Sequence, residues 1–409
     1  MTTDNWNHAL LSEICEINPG RKELQSLKED TEVSFLPMAA VSEDGKIIAP
    51  EKRRLKEVIK GFTYFRDGDV LVAKITPCFE NGKRAIAKNL INGIGFGSTE
   101  FHVLRPKERV SPDWIFYAIS KNDFRNIAKS QMTGTAGQKR VPRRVLDEYK
   151  IPVPDKNEQN AITEIIETQF TRLDATIKSL KTMKYKLEIY RKSVLKVAFE
   201  GKLVSAKSKW RQEKLSIVCE INPSKKEIKD LARDTEVSFV PMAYVSGNGK
   251  IISKDKRTIK EVISGFTYFK DGDVLLAKIT PCFENGKKAI AVDLTNGIGF
   301  GTTEFHVLRP KKDVTAEWIF YNLSREDFKA IAIRSMAGAV GQQRVPKTTL
   351  ENFEIPLPDK SEQIEVIQEI ESRFSVIDKV SVVIDNSLKK AEHLRKSILK
   401  AAFEGKLIN

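Results

Sequence analysis

Cysteine is scarce in this chain, and what there is stands alone. Cys15, Cys78, Cys219 and Cys282 show none of the C-x-x-C spacing that metal sites and redox pairs use, which predicts reduced, buried thiols of a cytoplasmic protein. No run of eighteen or more apolar residues occurs, and Met1 to Trp6 carries no apolar signal core, so the sequence predicts a soluble, unexported protein with no membrane contact. Histidine is equally sparse: His8, His102, His306 and His393 form no ligand cluster. No G-x-x-x-x-G-K-[ST] loop offers ATP a seat. Asn18-Pro19-Gly20 and Asn222-Pro223-Ser224 lack the second proline and the aromatic that amino methylation of a flipped base requires. Pro77-Cys78 lacks the second cysteine of a zinc deaminase. With no nucleophile, base and metal set to assemble, the chain is expected to perform no catalysis and to hold no cofactor or metal.

Acidic residues are in deficit. Lys and Arg total 69 against 55 Asp and Glu, a formal charge of +14, which favours polyanionic partners, nucleic acid first. The composition is otherwise globular, and 409 residues exceed one ordinary core, so more than one domain is expected.

The organising feature is a tandem duplication. Cys15 recurs as Cys219, Trp114 as Trp318 and Pro154 as Pro358, each 204 positions on, with no insertion or deletion between. Ile-Thr-Pro-Cys-Phe-Glu-Asn-Gly-Lys stands at Ile75 to Lys83 and at Ile279 to Lys287; Asn-Gly-Ile-Gly-Phe-Gly starts at Asn92 and at Asn296. A period this long is a whole domain, not a solenoid repeat. Within each copy, β-branched runs with turn signals (Val33 to Phe35, Phe62 to Phe65, Val70 to Ile75, Thr99 to Leu104) predict strands. Trp114 to Ile119 and Phe124 to Met132 predict helices, and Ile151-Pro152-Val153-Pro154 an extended exit.

After those prolines, Asp155-Lys156-Asn157-Glu158 and Asp359-Lys360-Ser361-Glu362 read as helix N-caps. Apolar residues then fall three and four apart at Ile166, Phe170, Leu173, Ile177, Leu180, Leu187 and Val194, interrupted at Lys184 and Arg191. Ile370, Phe374, Ile377, Ile384, Leu388, Ala391 and Ile398 repeat the seam, interrupted at Ser381 and Arg395. Gly201 and Gly405 end the runs, giving helices of roughly 60 Å at about 1.5 Å per residue. One apolar stripe per helix predicts that the two pair, and connectivity predicts an antiparallel coiled coil with a globular unit at each end, related by an approximate two-fold axis. The fold class is therefore α+β: globular domains at 1–154 and 205–358, helical spacers at 155–204 and 359–409.

In this order the motifs resemble a known family. Ile-Pro-Val-Pro-x-x-x-Glu-Gln, a heptad helix and Val-Leu-Lys-Val-Ala-Phe-Glu-Gly-Lys-Leu at 194 to 203, with counterparts at 355 to 363 and 398 to 407, resemble the specificity subunit of Type I restriction-modification enzymes over essentially the whole chain. The resemblance implies two target-recognition domains, each reading half of a split sequence, and helices that act as a ruler. It also implies two methyltransferase subunits that bind S-adenosylmethionine and methylate adenine, and motor-nuclease subunits that use ATP.

Two stretches per copy suit DNA contact, with donors for base edges and positive charge for phosphates. One supplies Lys74, Thr76, Asn81, Lys83 and Arg84, matched by Lys278, Thr280, Asn285, Lys287 and Lys288. The other, a glycine-rich loop, supplies Gln138, Lys139, Arg140 and Arg143, matched by Gln342, Gln343, Arg344 and Lys347. Asn81-Gly82 equally fits a plain hairpin turn, and Lys52-Arg53-Arg54-Leu55-Lys56 either tracks phosphates or is a solvated loop. Trp114, Trp318, Phe79 and Phe283 are expected in cores. Near-identical readers predict an interrupted palindrome, with up to roughly 18 base pairs between half-site centres at about 3.4 Å per pair. Departures in the loop (Thr135, Ala136, Lys139 and Arg144 become Ala339, Val340, Gln343 and Thr348) predict that one half-site differs or is read less tightly. The competing reading is a basic coiled-coil scaffold without sequence-specific DNA binding.

Overall fold

The computed structural model describes residues 6–135, 137–205, 209–339 and 341–407. The chain forms two compact units, one of residues 1–180 with 386–409 and the other of 181–385. The first therefore takes in the last turns of the chain as well as its opening domain.

In the first unit the period-2 runs become strands, but they are shared among three sheets. Strands β1 (Asn7–Leu10), β2 (Cys15–Ile17), β3 (Glu32–Leu36), β4 (Glu51–Arg54), β5 (Thr63–Arg66), β6 (Val70–Ala73), β7 (Arg84–Ile86), β8 (Ile94–Gly97), β9 (Phe101–Pro106) and β10 (Lys150–Val153) follow in chain order. Their sheets run β2-β9-β6-β7, β4-β3-β8-β5 and β1-β10. Among the described residues of this unit only β3 and β8 pair in parallel. The β2-β9-β6-β7 sheet is buried on both faces, so β6 reads as an unbroken apolar run: Val70 and Val72 face the helical core, Leu71 the core between sheets. The Asn-Gly-Ile-Gly-Phe-Gly motif has its reason in β8, where a Cβ on Gly95 would lie 2.1 Å from the Phe65 ring.

Helices Pro112–Ala118, Asn122–Ser130 and Arg143–Asp147 close the helical core. Trp114, fully buried, donates from Nε1 to the carbonyl of Pro152 at 2.9 Å, and its ring lies 4.4 Å from Phe403. Ile398, Leu399 and Ala402 join Ile162 and Ile166 in the same core. The end of the second long helix thus seals the first domain. The second unit repeats the design: Trp318 donates to Pro356 at 2.9 Å and packs 4.9 Å from Phe199 at the end of the first long helix. Phe79 and Phe283 are buried, and the four cysteines are unpaired; burial raises Cys15 and Cys219 to about 12.

The proline exits and caps form as the sequence predicts. Asp155 accepts from the backbone N–H groups of Asn157 and Glu158, Asp359 from that of Glu362, and unbroken 44-residue helices follow at Lys156–Phe199 and Lys360–Phe403. Gly201 and Gly405 stop them with left-handed φ of 70° and 64°. Within each unit the helix segments pair antiparallel. In the second, Lys184 meets Asp385 and Arg191 meets Asp378, seven residues up on one helix and seven down on the other. In the first, Arg395 meets Asp174. The interruptions at Lys184, Arg191 and Arg395 are thus ion pairs between helices, and Arg191 and Arg395 also lie over Phe374 and Phe170 at 4.3 and 4.4 Å.

Candidate nucleic-acid interface

The two stretches singled out for DNA contact, some sixty residues apart in sequence, are joined in space. Thr76 donates its backbone N–H to the carbonyl of Lys139 at 2.9 Å, and the Lys139 N–H returns to Thr76 Oγ1 at 3.1 Å. A β-bridge joins Ile75 to Arg140, and the Val141 N–H donates to the Lys74 carbonyl at 2.8 Å. The glycine-rich segment is itself a closed loop, with Thr133 and Arg140 exchanging both backbone hydrogen bonds at 3.0 and 2.7 Å. Its tip requires glycine: Gly134 and Gly137 have φ of 124° and 82°. Ala136 and its counterpart Val340 lie outside the described residues.

Below this loop sits a support that sequence reasoning missed. Arg140 forks onto Glu100, with Nε at 2.9 Å and Nη2 at 2.8 Å, and its remaining Nη1 donates to the Gln138 carbonyl at 3.1 Å. The pair holds the Glu100 carboxyl below its usual range, the hydrogen bond from Arg140 being the largest cause. Beside it, buried His102 has Nε2 at 2.8 Å from the Val141 carbonyl, so that nitrogen carries the proton, and Nδ1 accepts from Asn18 Nδ2 at 3.3 Å. Burial pushes the His102 pKa down, keeping the ring neutral. Asn18, with φ of 54°, also takes the Val103 N–H on Oδ1 at 3.0 Å. The second copy repeats each contact: Arg344 on Glu304 at 2.9 and 2.8 Å, His306 on Val345 at 2.8 Å and Asn222 at 3.2 Å, Thr280 on Gln343 at 2.9 Å. The signal was in the sequence, since only His102 and His306 correspond among the histidines and Asn18-Pro19 recurs as Asn222-Pro223.

The candidates thereby divide. Gln138 and Lys139, with Gln342, lie exposed at the loop tip; Gln343 is half-buried, and Asn81 and Asn285 are exposed on the neighbouring turn. Arg140 and Arg344 hold the loop through their carboxylates. Arg143 and Lys347 are exposed and bridge to Asp147 and Glu351, one helical turn on, at 3.3 and 3.0 Å. Lys83 and Lys287 point inward, each Nζ donating to a backbone carbonyl, of Met38 at 3.0 Å and of Met242 at 2.9 Å. Arg84 is drawn into a cleft, where it donates to Ser120 Oγ at 2.6 Å and lies 4.9 Å from the Phe116 ring. Burial lowers its pKa to about 10, and lowers that of Lys288, over Phe320 at 5.1 Å, to about 8. The side chains of Lys83, Arg84, Lys287 and Lys288, expected at DNA, are half-buried and engaged within the domain by these contacts. The basic cluster at 52–56 is likewise answered internally, Lys52 by Glu32 at 2.6 Å, Arg53 by Glu51 at 2.6 Å, and Arg54 and Lys56 by Asp30 at 3.3 and 2.8 Å.

A buried cluster behind the second sheet is structural. Arg105 forks onto Asp69 at 2.9 Å and reaches Glu23 at 2.7 Å, while Tyr64 donates to Glu23 at 2.7 Å. Among the described residues no group of three or more His, Cys, Asp and Glu side chains is placed to hold a metal, and no helix is long and apolar enough to cross a membrane.

The model of one family, the Type I restriction modification DNA specificity domain, matches the chain twice, over residues 3–188 and 207–391. The chain is 26% identical to the Type I restriction enzyme EcoEI specificity subunit of Escherichia coli, over 98% of its own length and 82% of that protein's. It is 43% identical to the EcoAI specificity subunit of Escherichia coli over a shorter stretch, 39% of this chain and 27% of that one. Among solved structures, a chain from work on complex assembly and conformational transition of the type I R-M system superposes with a TM-score of 0.77 at 19% identity, covering 99% of both. The HsdS subunit from Thermoanaerobacter tengcongensis gives 0.63 at 20% identity, over 98% of this chain and 97% of that one. At such identities the two structures speak for the fold.

Proposed function

The chain belongs to the family of Type I restriction-modification DNA specificity subunits, which are not themselves catalytic, and we propose that it reads a two-part DNA target on behalf of methyltransferase and nuclease partners. Each half of the target is read by one glycine-rich loop, with Gln138 and Lys139 in the first domain and Gln342 and Gln343 in the second reaching base edges in the major groove. Asn81 and Asn285 flank them. S-adenosylmethionine and ATP belong to the partners, two methyltransferase subunits and the motor-nuclease subunits. The observation that carries this reading is the junction at Thr76 and Lys139, repeated at Thr280 and Gln343: two donor-rich segments, distant in sequence, form one exposed face on a rigid base, twice.

Because the two faces share their framework, the target is an interrupted inverted repeat, with a gap fixed by the unbroken helices. The test is to co-express the chain with its methyltransferase and sequence the methylated adenines. Two inverted, closely related half-sites at one spacing are expected, and seven residues inserted into both long helices should lengthen the gap. Methylation without a shared motif would overturn the reading, and half-sites unrelated to each other would remove the symmetric part of it.

A further inference from the structure

Beside the reading loop of the first domain lies an open concavity of about 360 Å³, lined in part by Asn18, Arg21, Thr63, Lys74 and Thr99. It holds two cations, and among the described residues neither makes an ion pair. Lys74 is held at the backbone on both sides, its N–H donating to the Glu100 carbonyl at 2.8 Å and its carbonyl accepting from Val141. Among the described residues its ammonium group makes no ion pair, and the nearby Glu100 carboxylate is already taken by the Arg140 fork. Arg21 donates to two backbone carbonyls, of Ile59 and Phe62, which orient the guanidinium without cancelling its charge. An uncompensated pair of cations with a threonine hydroxyl at the rim calls for an anion.

The second copy carries Asn222, Lys225, Thr267, Lys278 and Thr303 at the same places, with only Arg21 exchanged, for another cation. Lys225 is again held by a backbone carbonyl, that of Ile263, at 2.5 Å. By contrast the loop tip changes in part, Lys139 to Gln343, while Gln138 recurs as Gln342. In a duplicated reader, a group that touches the invariant sugar-phosphate chain has no reason to change with the half-site, whereas a group that touches bases changes only where the half-sites differ.

We propose that the concavity at Lys74 seats a backbone phosphodiester of the bound duplex, and that Lys278 does the same in the second domain, while the loop tips alone read sequence. The assignment rests on the DNA-reading function proposed above and divides the labour within it. Each phosphate neutralised by these lysines releases condensed counterions, so each contributes to the salt dependence of binding but not to base preference.

The test compares the full chain, with its methyltransferase partner, on a cognate and a scrambled duplex across a salt series. Lys74→Ala and Lys278→Ala should weaken binding to both duplexes by the same factor and reduce the slope of log K against log salt by about 0.9 each, with Lys74→Arg restoring it. Gln138→Ala should instead weaken the cognate duplex selectively. Because the Lys74 ammonium makes no ion pair among the described residues, an unchanged thermal melt is expected and separates binding from folding. A salt slope untouched by Lys74→Ala, or a loss confined to the cognate duplex, would overturn the phosphate seat. Equal wild-type binding to both duplexes, with the slope still reduced in the variants, would sink the sequence-reading function and leave the seat standing; no binding to either would end both.

Discussion

The two domains are the same instrument with different tips. His102 and His306, Glu100 and Glu304, Arg140 and Arg344, and Asn18 and Asn222 make matching contacts at matching distances, whereas Lys139 faces Gln343 and Arg144 faces Thr348 across the repeat. Exchanges reach the clefts as well: Arg84 becomes Lys288, and Asn122 becomes Glu326, which in the second unit bridges to Lys192 at 3.1 Å. What holds the loop is kept, while what it displays is changed in part, at Lys139 against Gln343. The division separates framework from reader without reference to any other protein.

The largest effects should fall equally on both copies. Arg105→Ala strips a cation from the fully buried Asp69, and Arg309→Ala does the same to Asp273; each should cost about 3–5 kcal/mol, read by denaturant unfolding. A loss in one copy only would break the equivalence. Phe403→Ala and Phe199→Ala uncover Trp114 and Trp318, and each should cost about 3 kcal/mol or more in the unit it seals.

Smaller effects sharpen the contrast at the loops. Gln343→Lys should draw the second half-site preference toward that of the first, by about 1–3 kcal/mol at one base pair, measured by competition binding. Acid should act on both loops alike. His102 and His306 have pKa values below the ordinary 6.5, burial being the main cause. The unfolded chain therefore binds protons that the folded chain refuses, so stability present above pH 6.5 is lost as pH falls below it toward the lower folded values. The exchange protection of the Val141 and Val345 amides, relative to the intrinsic rate at each pH, should fall together on acidification, and His102→Gln should flatten that response in the first loop alone. The smallest shift is expected at Lys184→Leu, which trades a half-exposed ion pair with Asp385 for apolar contact and should move stability by less than about 1 kcal/mol; chemical denaturation reads it.

Much of the architecture is legible in the sequence because it is local or periodic. The Asp155 and Asp359 caps, the seam from Ile166 to Val194, the glycine stops and the strand at Val70 to Ala73 all announce themselves within a few residues. The partition of strands among three sheets does not, since β3 pairs with β8 about sixty residues away and nothing nearby encodes that choice. At the interface the exposed tip was legible from residue type and glycine spacing. The inward turn of Lys83 and Arg84 was not, because a cation beside a turn looks the same whether it meets solvent or the carbonyl of Met38. Likewise the charges interrupting the seam at Lys184 and Arg191 are answered by aspartates about two hundred residues away.

Trp114 is made early and covered late. Until Phe403 has left the ribosome, the first domain presents an unroofed aromatic face, with Trp6 at 5.9 Å as its aromatic neighbour from the early chain. A frameshift or stop codon upstream of Phe403 therefore damages the domain that was synthesised first. Quality control that senses exposed aromatic surface would find it on such chains.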